Sequence, residues 1–271
     1  MEGVAACSHA FFNRNSIYKK QNIYSKTFSF PYTTNILNYS SLTMLIIVDK
    51  PKWISSFDVI RALKRELKEK KIWHSGTLDP MATWLLLIWT GNDTKQLNSL
   101  IGLDKSYETT IDFSKKSDTR DMDYREYFED IDVKWKNISI EQIKEKLDSI
   151  IPEWELPLTP FSAKKKDGKK LYELARNWNQ IIENKLMKTY WYEILEYNFP
   201  TLKLKLDVWS GTYIRSIWHR LGEQLWLGWI LTELRRIRVW EYNLNKINLG
   251  KTATFFRKEW GDVEFKYWLV W

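Results

Sequence analysis

The sequence predicts a mixed α/β fold, and three stretches carry that prediction. MLIIVDKP (44–51) opens with an apolar run and ends at a proline, as a buried strand does. LKLKLDV (202–208) alternates apolar and polar residues strictly, which indicates a half-buried strand. SIEQIKEKLDSI (139–150) begins with a capping box formed by Ser139 and Gln142, which predicts a helix. With 271 residues, the chain is long enough for one substantial domain.

The remaining predicted elements follow the same mixed pattern. SSFDVIRALKRELKEK (55–70) opens with serines that can cap a helix and continues with apolar residues at helical spacing. YETTIDF (107–113) is predicted to be a strand. TYIRSIWHRLGEQL (212–225) and ILTELRRIRV (230–239) are both predicted to be helical, with a transition to strand left open for the second. No internal repeat and no domain linker are evident after residue 44.

Residues 1–43 differ from the rest in composition. They are rich in Asn, Ser, Tyr and Lys, hold a single acidic residue, Glu2, and show no sustained period. This composition favours a disordered extension or a start assigned upstream of Met44 over an organelle targeting segment. We therefore expect a main domain over residues 44–245, with a short C-terminal tail over 246–271.

Charge and composition limit the class of function. The formal net charge of +8 and the pI near 9.2 favour a polyanionic partner, although a solvated basic surface accounts for the same charge. The single cysteine, Cys7, excludes internal disulfide bonds and fits a reducing compartment. The three histidines show no metal-ligand spacing, and no apolar run approaches the roughly 20 residues of a membrane span. We expect a cytoplasmic monomer that binds neither metal nor membrane.

Asp79 is the candidate catalytic residue. It stands in the turn Gly-Thr-Leu-Asp-Pro (76–80), where an aspartate before proline is by itself more often a turn former than a catalyst. Arg215, in GTYIRS, makes a catalytic role for Asp79 more plausible, because a guanidinium partner would keep a buried carboxylate ionised. Spacing alone does not show that the two side chains meet. The sequence contains no phosphate-binding loop, no G-x-S-x-G elbow and no second acid near Asp79.

Three further side chains are candidates for the same site. Tyr107 and Tyr213 could stack on a base, but core packing is the better prediction from one sequence. His74 could contact a phosphate or a base, and a hydrogen-bonded structural histidine competes closely with that role.

KKKDGKK (164–170) is a candidate nucleic-acid contact. Most charge runs are only solvated faces, but a basic loop beside an aromatic residue also suits a nucleic-acid backbone. RRIR (235–238) forms a second basic cluster. The candidate RNA-binding residues around the first cluster are Lys164, Lys165, Lys166, Lys169, Lys170, Tyr172 and Arg176.

Together these stretches resemble the TruB-type tRNA pseudouridine synthases, from about Met44 to about Leu244. DKPKWISS (49–56) is similar to the family's D-K-P-x-G-x-[ST]-S, and WHSGTLDPMATWLL (73–86) to its catalytic G-H-x-G-T-L-D-P-x-A-x-G-x-L. KSYETT, SDTRD, PLTPFSAKKKDGKKLYELARNW, GTYIRS and LTELRR match further motifs in the family's order. Any one match would be weak, whereas the ordered set is highly specific.

The resemblance implies a pseudouridine synthase fold, with a mixed, largely antiparallel sheet flanked by helices and loops. It implies an enzyme that isomerises uridine 55 in the T arm of tRNA without metal or other cofactor. Asp79 would act as nucleophile on a flipped-out nucleotide and pair with Arg215, Tyr107 would stack on the base and help remove a proton, and His74 would help hold the flipped loop. Residues 159–178 would form a thumb over the RNA. A synthase acting on another RNA and an inactive RNA-binding relative are the alternatives.

The end of the chain departs from the family pattern. Many members carry a small C-terminal RNA-binding domain, whereas about thirty residues follow Trp240 here. That leaves room for a strand or two, so we expect this domain to be absent or vestigial.

Tryptophan stands where the family has glycine. The chain holds 16 tryptophans but only 10 glycines, about half the usual glycine share of roughly 7%. We hypothesise that these positions are UGA codons that the source organism reads as glycine; the rival explanation is a protein that tolerates the indoles. The glycine positions are Trp53, Trp73, Trp84, Trp89, Trp178, Trp226, Trp229 (glycine or alanine) and Trp240, and small residues are expected at Trp209 and Trp218.

Overall fold

The structure, a computed structural model, combines strands and helices as the sequence predicts. It describes residues 44–91, 102–122, 128–151, 153–159, 161–162, 164–166, 168–176, 183–243, 251–257 and 261–270. The helices in these ranges are α1 (Ser56–Glu66), α2 (Ile140–Ile150), α3 (Leu171–Arg176) and α4 (Ile214–Leu225). The strands are β1 (Leu45–Lys50), β2 (Ile72–His74), β3 (Thr83–Thr90), β4 (Lys105–Asp112), β5 (Lys115–Lys116), β6 (Glu129–Asp130), β7 (Glu153–Pro157), β8 (Lys165–Lys166), β9 (Lys169–Lys170), β10 (Asn184–Asn198), β11 (Thr201–Val208), β12 (Ile230–Val239), β13 (Tyr242–Asn243), β14 (Lys251–Arg257) and β15 (Gly261–Val270).

One mixed, largely antiparallel sheet organises these elements, as expected. Its strand order is β14-β15-β1-β3-β12-β4-β11-β10-β7, with β2 paired to β3 and β13 paired to β12. β12 runs parallel to β3, and the other pairings along this path are antiparallel. β14 and β15 extend the sheet beyond the boundary predicted at residue 245, because β15 pairs with β1.

Helices α1 and α2 begin where their capping residues predict. Ser55 caps α1 by accepting a hydrogen bond from the backbone N–H of Asp58, and the Asp58 carboxylate accepts one from Ser55 in return. Ser139 and Gln142 form the predicted capping box at the start of α2. Such reciprocal bonds satisfy backbone donors that a helix start otherwise leaves unpaired. Both helix predictions are confirmed.

The main hydrophobic core lies on the helix-covered face of the sheet. α1 contributes Val59, Ile60 and Leu63 to it, and α2 and α4 pack against each other over the same core. Because side chains alternate along a strand, β1 sends Ile46 and Val48 to this core and Leu45 and Ile47 to a smaller one on the opposite face. Burying each such aliphatic side chain contributes about 1.5–3 kcal/mol.

The prediction that residues 230–239 are helical is wrong. They form β12, which lies between β3 and β4 near the middle of the sheet. Its pairing with β4 is interrupted by register shifts between Leu231 and Glu233 and between Arg236 and Arg238. Each shift adds a residue and moves the apolar side chains off a strict period of two. The resulting spacing imitates that of a helix, which explains the error.

Candidate active site

The turn that carries Asp79 is fixed by hydrogen bonds from both sides. Within it, the N–H of Ala82 donates to the carbonyl of Asp79 at 3.0 Å. The N–H of Leu78 donates to Ser56 Oγ at 2.9 Å, so the first residue of α1 clamps the turn. Leu78 and Ala82 are buried, whereas Asp79 is half-buried. The turn therefore anchors its neighbours in the core and presents one carboxylate at the surface.

Lys50 supplies a second clamp. Its ammonium is fully buried at the end of β1 and donates to the carbonyls of Pro51, Ile54 and Pro80 at 3.0, 2.7 and 3.0 Å. A lysine has three donors, and these carbonyls accept all three. Lys50 thus ties the loop after β1 to the residue that follows Asp79. The sequence analysis gave Lys50 no role, although it stands in the motif DKPKWISS.

Arg215 and Asp79 meet, as the sequence analysis expected. Arg215 Nη2 donates to Asp79 Oδ1 at 2.9 Å and to the carbonyl of Phe161 at 3.0 Å, while Nη1 donates to the carbonyl of Thr119 at 2.8 Å. The guanidinium is almost fully buried, with its side chain 5% exposed, whereas the Asp79 side chain is 30% exposed. Among the described residues, none donates a hydrogen bond to Oδ2 of Asp79.

Asp121 completes this network, and the sequence analysis did not single it out. Its Oδ2 lies 2.9 Å from Arg215 Nη1, and its side chain is 1% exposed. Arg215 therefore binds two carboxylates, one buried and one accessible. Burying the Asp121 carboxylate costs desolvation free energy, and the ion pair with Arg215 offsets that cost. The sequence did carry a signal for Asp121, because it is the last residue of SDTRD, one of the motifs shared with the family.

The two candidate tyrosines differ in exposure. Tyr213 precedes α4 and is half-buried; burial raises the pKa of its hydroxyl, and the nearby Asp79 carboxylate raises it further. Lys185 Nζ lies 5.7 Å from the centre of the Tyr213 ring. Tyr107 is only 7% exposed and packs in the main core on β4, opposite Arg236 of β12. Tyr213 is thus placed beside Asp79, and Tyr107 is placed in the core.

His74 is held as a neutral imidazole. Burial, together with the nearby Arg236 guanidinium, lowers the pKa of His74 from 6.5 to about 4. The N–H of Gly76 donates to its Nδ1 at 3.3 Å, and its ring stacks on that of Trp73. At neutral pH, His74 offers hydrogen bonds and a ring face but no positive charge.

The buried neutral state of His74 makes stability depend on pH. Its folded-state pKa lies below that of an unfolded chain, so its contribution is fully present above pH 6.5 and is lost as pH falls towards about 4. We expect His74→Gln to reduce the loss of unfolding free energy between about pH 7.5 and about pH 5 by about 2 kcal/mol. Urea unfolding of both proteins at the two pH values measures this. Equal losses would contradict the assignment.

The predicted basic segment forms a hairpin beside the site. β8 and β9 pair through Lys165 with Lys170 and through Lys166 with Lys169, around Gly168. Lys166 and Lys169 are exposed. Lys164 forms an ion pair with Glu183 at 3.0 Å, and Lys170 Nζ donates to the Tyr172 hydroxyl at 3.1 Å. The side chains of Lys165 and Arg176, like residues 177–182 including Trp178, lie outside the described part of the chain.

This hairpin is connected directly to the arginine network. The N–H of Tyr172 donates to the carbonyl of Ser162, one residue after the carbonyl of Phe161 that binds Arg215. Lys185 of β10 is a further cation here that the sequence analysis missed, and its Nζ donates to the carbonyl of Gly211 at 2.8 Å. A run of basic residues was visible in the sequence, whereas an isolated lysine in a strand gave no signal.

The described residues offer neither a metal-ion site nor a membrane-spanning helix. They contain no cluster of three or more His, Cys, Asp or Glu side chains arranged to hold a metal ion. No helix among them is both long and apolar enough to span a membrane.

Solved structures share this fold. The chain is similar to a protein in a Cbf5–Nop10–Gar1 complex, with a TM-score of 0.55 and 24% identity over 72% of this chain. It is also similar to a protein in an H/ACA ribonucleoprotein bound to a substrate RNA containing 2′-deoxyuridine, with a TM-score of 0.54 and 22% identity over 74% of this chain. The match spans 48% of each of those chains, about half their length.

Two relatives of known name and one family model match the larger part of this chain. The tRNA pseudouridine synthase B of Chlorobaculum tepidum is 37% identical over 74% of this chain and 85% of its own length. That of Fusobacterium nucleatum is 36% identical over 74% of this chain and 69% of its own. The model for the TruB family pseudouridylate synthase N-terminal domain matches residues 64–214. These matches define the class of the chain, which is a pseudouridine synthase. The chain belongs to the TruB family.

Proposed function

We propose that this enzyme isomerises uridine 55 in the T arm of tRNA to pseudouridine, with Asp79 as the nucleophile. The names of the Chlorobaculum and Fusobacterium relatives support tRNA as the substrate. The observation that carries the proposal is the state of Asp79: Arg215 holds one carboxylate oxygen at 2.9 Å, and no described residue donates to the other. A carboxylate that is oriented on one side and open on the other suits attack on a substrate.

The reaction is balanced within the substrate. Asp79 acts on the flipped-out nucleotide, the bond between N1 of uracil and C1′ of ribose breaks, and the detached base rotates. A bond from C5 to C1′ then forms, C5 loses its proton and N1 gains one. No electrons enter or leave overall, so the isomerisation requires no redox partner. Arg215 keeps the carboxylate oriented throughout, because its own position is fixed by the carbonyls of Thr119 and Phe161.

The aromatic residues and the basic hairpin have supporting roles in this proposal. Extruding the target nucleotide costs a few kcal/mol, which stacking and phosphate contacts offset. The family resemblance assigns Tyr107 to stacking on the target base and to the final proton removal, which requires this core residue to become accessible when the nucleotide enters. Tyr213 lines the site beside Asp79. His74, as a neutral imidazole, helps hold the flipped loop. The segment 159–178 acts as the thumb that covers the RNA.

The substrate assignment is tested by mapping pseudouridine in a tRNA transcript after incubation with the purified enzyme. We expect a single modified position, uridine 55. A matched transcript with cytidine at that position serves as control and remains unmodified. Modification elsewhere, or in a different RNA only, would replace this proposal with the synthase acting on another RNA. Binding of tRNA without any modification would favour the inactive relative.

The hairpin lysines are expected to account for part of the salt dependence of RNA binding. Lys166→Gln with Lys169→Gln removes two exposed cations without breaking an ion pair found in the structure. We expect weaker tRNA binding and a log–log salt slope that is smaller in magnitude by roughly 1–2. Filter-binding titrations over a range of salt concentrations measure it.

A charge-matched control separates this local effect from that of net charge. Lys134→Gln with Lys144→Gln removes two exposed lysines outside the hairpin. This control should leave the salt slope close to that of the parent protein. If the hairpin variant and the control behave alike, the hairpin does not form part of the RNA interface.

A further inference from the structure

We propose that the natural protein carries glycine where this sequence has Trp53, Trp84, Trp226 and Trp240. The corresponding codons would be UGA, translated as tryptophan in the printed sequence and read as glycine in the source organism. The backbone geometry of the folded chain supports this, and the argument does not depend on the proposed function.

The argument begins with backbone geometry. In the described part of the chain, six residues other than glycine have a positive φ, and four of these are tryptophans. Their φ angles are 70° at Trp53, 77° at Trp84, 56° at Trp226 and 51° at Trp240. In this left-handed region the Cβ atom of an L-residue is crowded, glycine alone is unhindered, and bulky side chains are genuine outliers. Tryptophan has no conformational preference that would explain its concentration at such positions.

Trp226 occupies a place where helices commonly end with glycine. It follows the last residue of α4 with φ 56° and ψ 43°, and the next residue, Leu227, donates its N–H to the carbonyl of Gly222 at 2.9 Å. This left-handed helix end is most often formed by glycine. The Trp226 side chain is 84% exposed, so packing does not compensate for the unfavourable backbone.

Trp240 also occupies a position that favours glycine, in this case in a β-hairpin turn. Val239 pairs with Tyr242, so Trp240 is the first residue of a two-residue loop between β12 and β13. A positive φ at the first position of such a loop favours glycine, asparagine or aspartate. The Trp240 side chain is 51% exposed.

Trp53 and Trp84 flank the catalytic turn. The N–H of Trp53 donates to the carbonyl of Pro80 at 2.7 Å, so its left-handed backbone directly supports the residue after Asp79. Trp84 lies near the start of β3, where it pairs with Lys50 of β1 and Arg236 of β12. Glycine at these two positions would let the turn close without the cost of a crowded Cβ atom.

Indole hydrogen bonding extends the proposal to Trp89 and Trp229 and removes Trp218 from it. The Nε1 atoms of Trp89 and Trp229 are buried without a hydrogen-bond partner among the described residues. A buried unpaired N–H destabilises the fold. Trp218, by contrast, is fully buried in the main core and donates its Nε1–H to Thr109 Oγ1 at 3.0 Å. The structure accommodates Trp218 as a true tryptophan.

Peptide mass spectrometry of the protein purified from its source organism tests the proposal directly. Four tryptic peptides cover the six sites: 53–61, 72–95, 221–235 and 239–246. We expect the fragment spectra of each peptide to place glycine at these positions; in peptide 72–95 the fragments also separate residues 84 and 89 from Trp73. The control peptide is 216–220, which contains Trp218 and should retain the tryptophan mass. Tryptophan masses at positions 53, 84, 226 and 240 would overturn the proposal.

Recombinant variants test the physical reason. Trp226→Gly and Trp240→Gly remove side chains that are mostly in solvent, so we expect each to raise the Tm of the printed chain by about 2–4 °C. Trp226→Ala and Trp240→Ala remove the indole but keep the Cβ atom, and they should raise Tm much less. Lys68→Gly, at a φ of 52°, is a positive control outside the tryptophan set. If alanine and glycine stabilise equally, backbone strain is not the reason and the proposal fails.

Discussion

Asp79→Asn is expected to abolish pseudouridine formation, with a rate loss on the order of 10⁴-fold or more. The amide keeps the shape of the carboxylate but is a poor nucleophile and no longer pairs with a guanidinium as an anion. Because Asp79 is half-buried on a turn fixed by Ser56 and Lys50, the fold should persist. Single-turnover formation of pseudouridine in a tRNA transcript is the measurement, alongside tRNA binding.

The same pair of measurements separates the possible roles of Asp79. Lost product formation with retained tRNA binding supports the nucleophile. A product yield like that of the parent enzyme would eliminate Asp79 as the catalytic group. Loss of both product formation and tRNA binding would instead indicate that Asp79 has a structural role. Thr77→Ala is a useful control because Thr77 lies in the same turn and its side chain is exposed, so its activity should stay close to the parent level.

Arg215→Met is expected to have the largest effect on stability. Methionine leaves Asp121, with its side chain 1% exposed, without the cation that lies 2.9 Å away, and it leaves the carbonyls of Thr119 and Phe161 without their donor. Removing one partner of a buried ion pair typically destabilises a protein by 3–5 kcal/mol. Urea unfolding should show a loss of about this size, and activity should fall with it.

Asp121→Asn distinguishes positioning from stability within the same network. Asparagine removes the buried negative charge but retains an oxygen that can accept from Arg215 Nη1. We expect a smaller loss of stability than in Arg215→Met, and a reduced turnover rate with tRNA binding unchanged, because Arg215 would be held less firmly against Asp79. Unchanged turnover in Asp121→Asn would show that the buried carboxylate serves folding alone.

Elements with local signals were predictable from the sequence. The helices at 56–66 and 140–150 were found because their capping residues act within one turn, and the strand at 201–208 because one of its faces is buried. The segment 230–239 was predicted wrongly because its β-bulges arise from pairing with β4, which lies more than 100 residues earlier in the chain. The bulges alter the local apolar spacing, but nothing in that spacing shows that a distant strand is the cause.

In the candidate site, too, local motifs were predictable from the sequence and long-range contacts were not. By itself, the sequence determined the turn that carries Asp79, the basic run at 164–170 and the family to which their order belongs, since these are local motifs. Only the tertiary structure decided that Arg215 contacts both Asp79 and Asp121, and that Lys50 holds the turn that carries Asp79. Each of these contacts joins residues 30 or more positions apart, and such contacts depend on how the strands and helices pack together. The tertiary structure also has a left-handed backbone at four tryptophans, which residue type alone could not reveal.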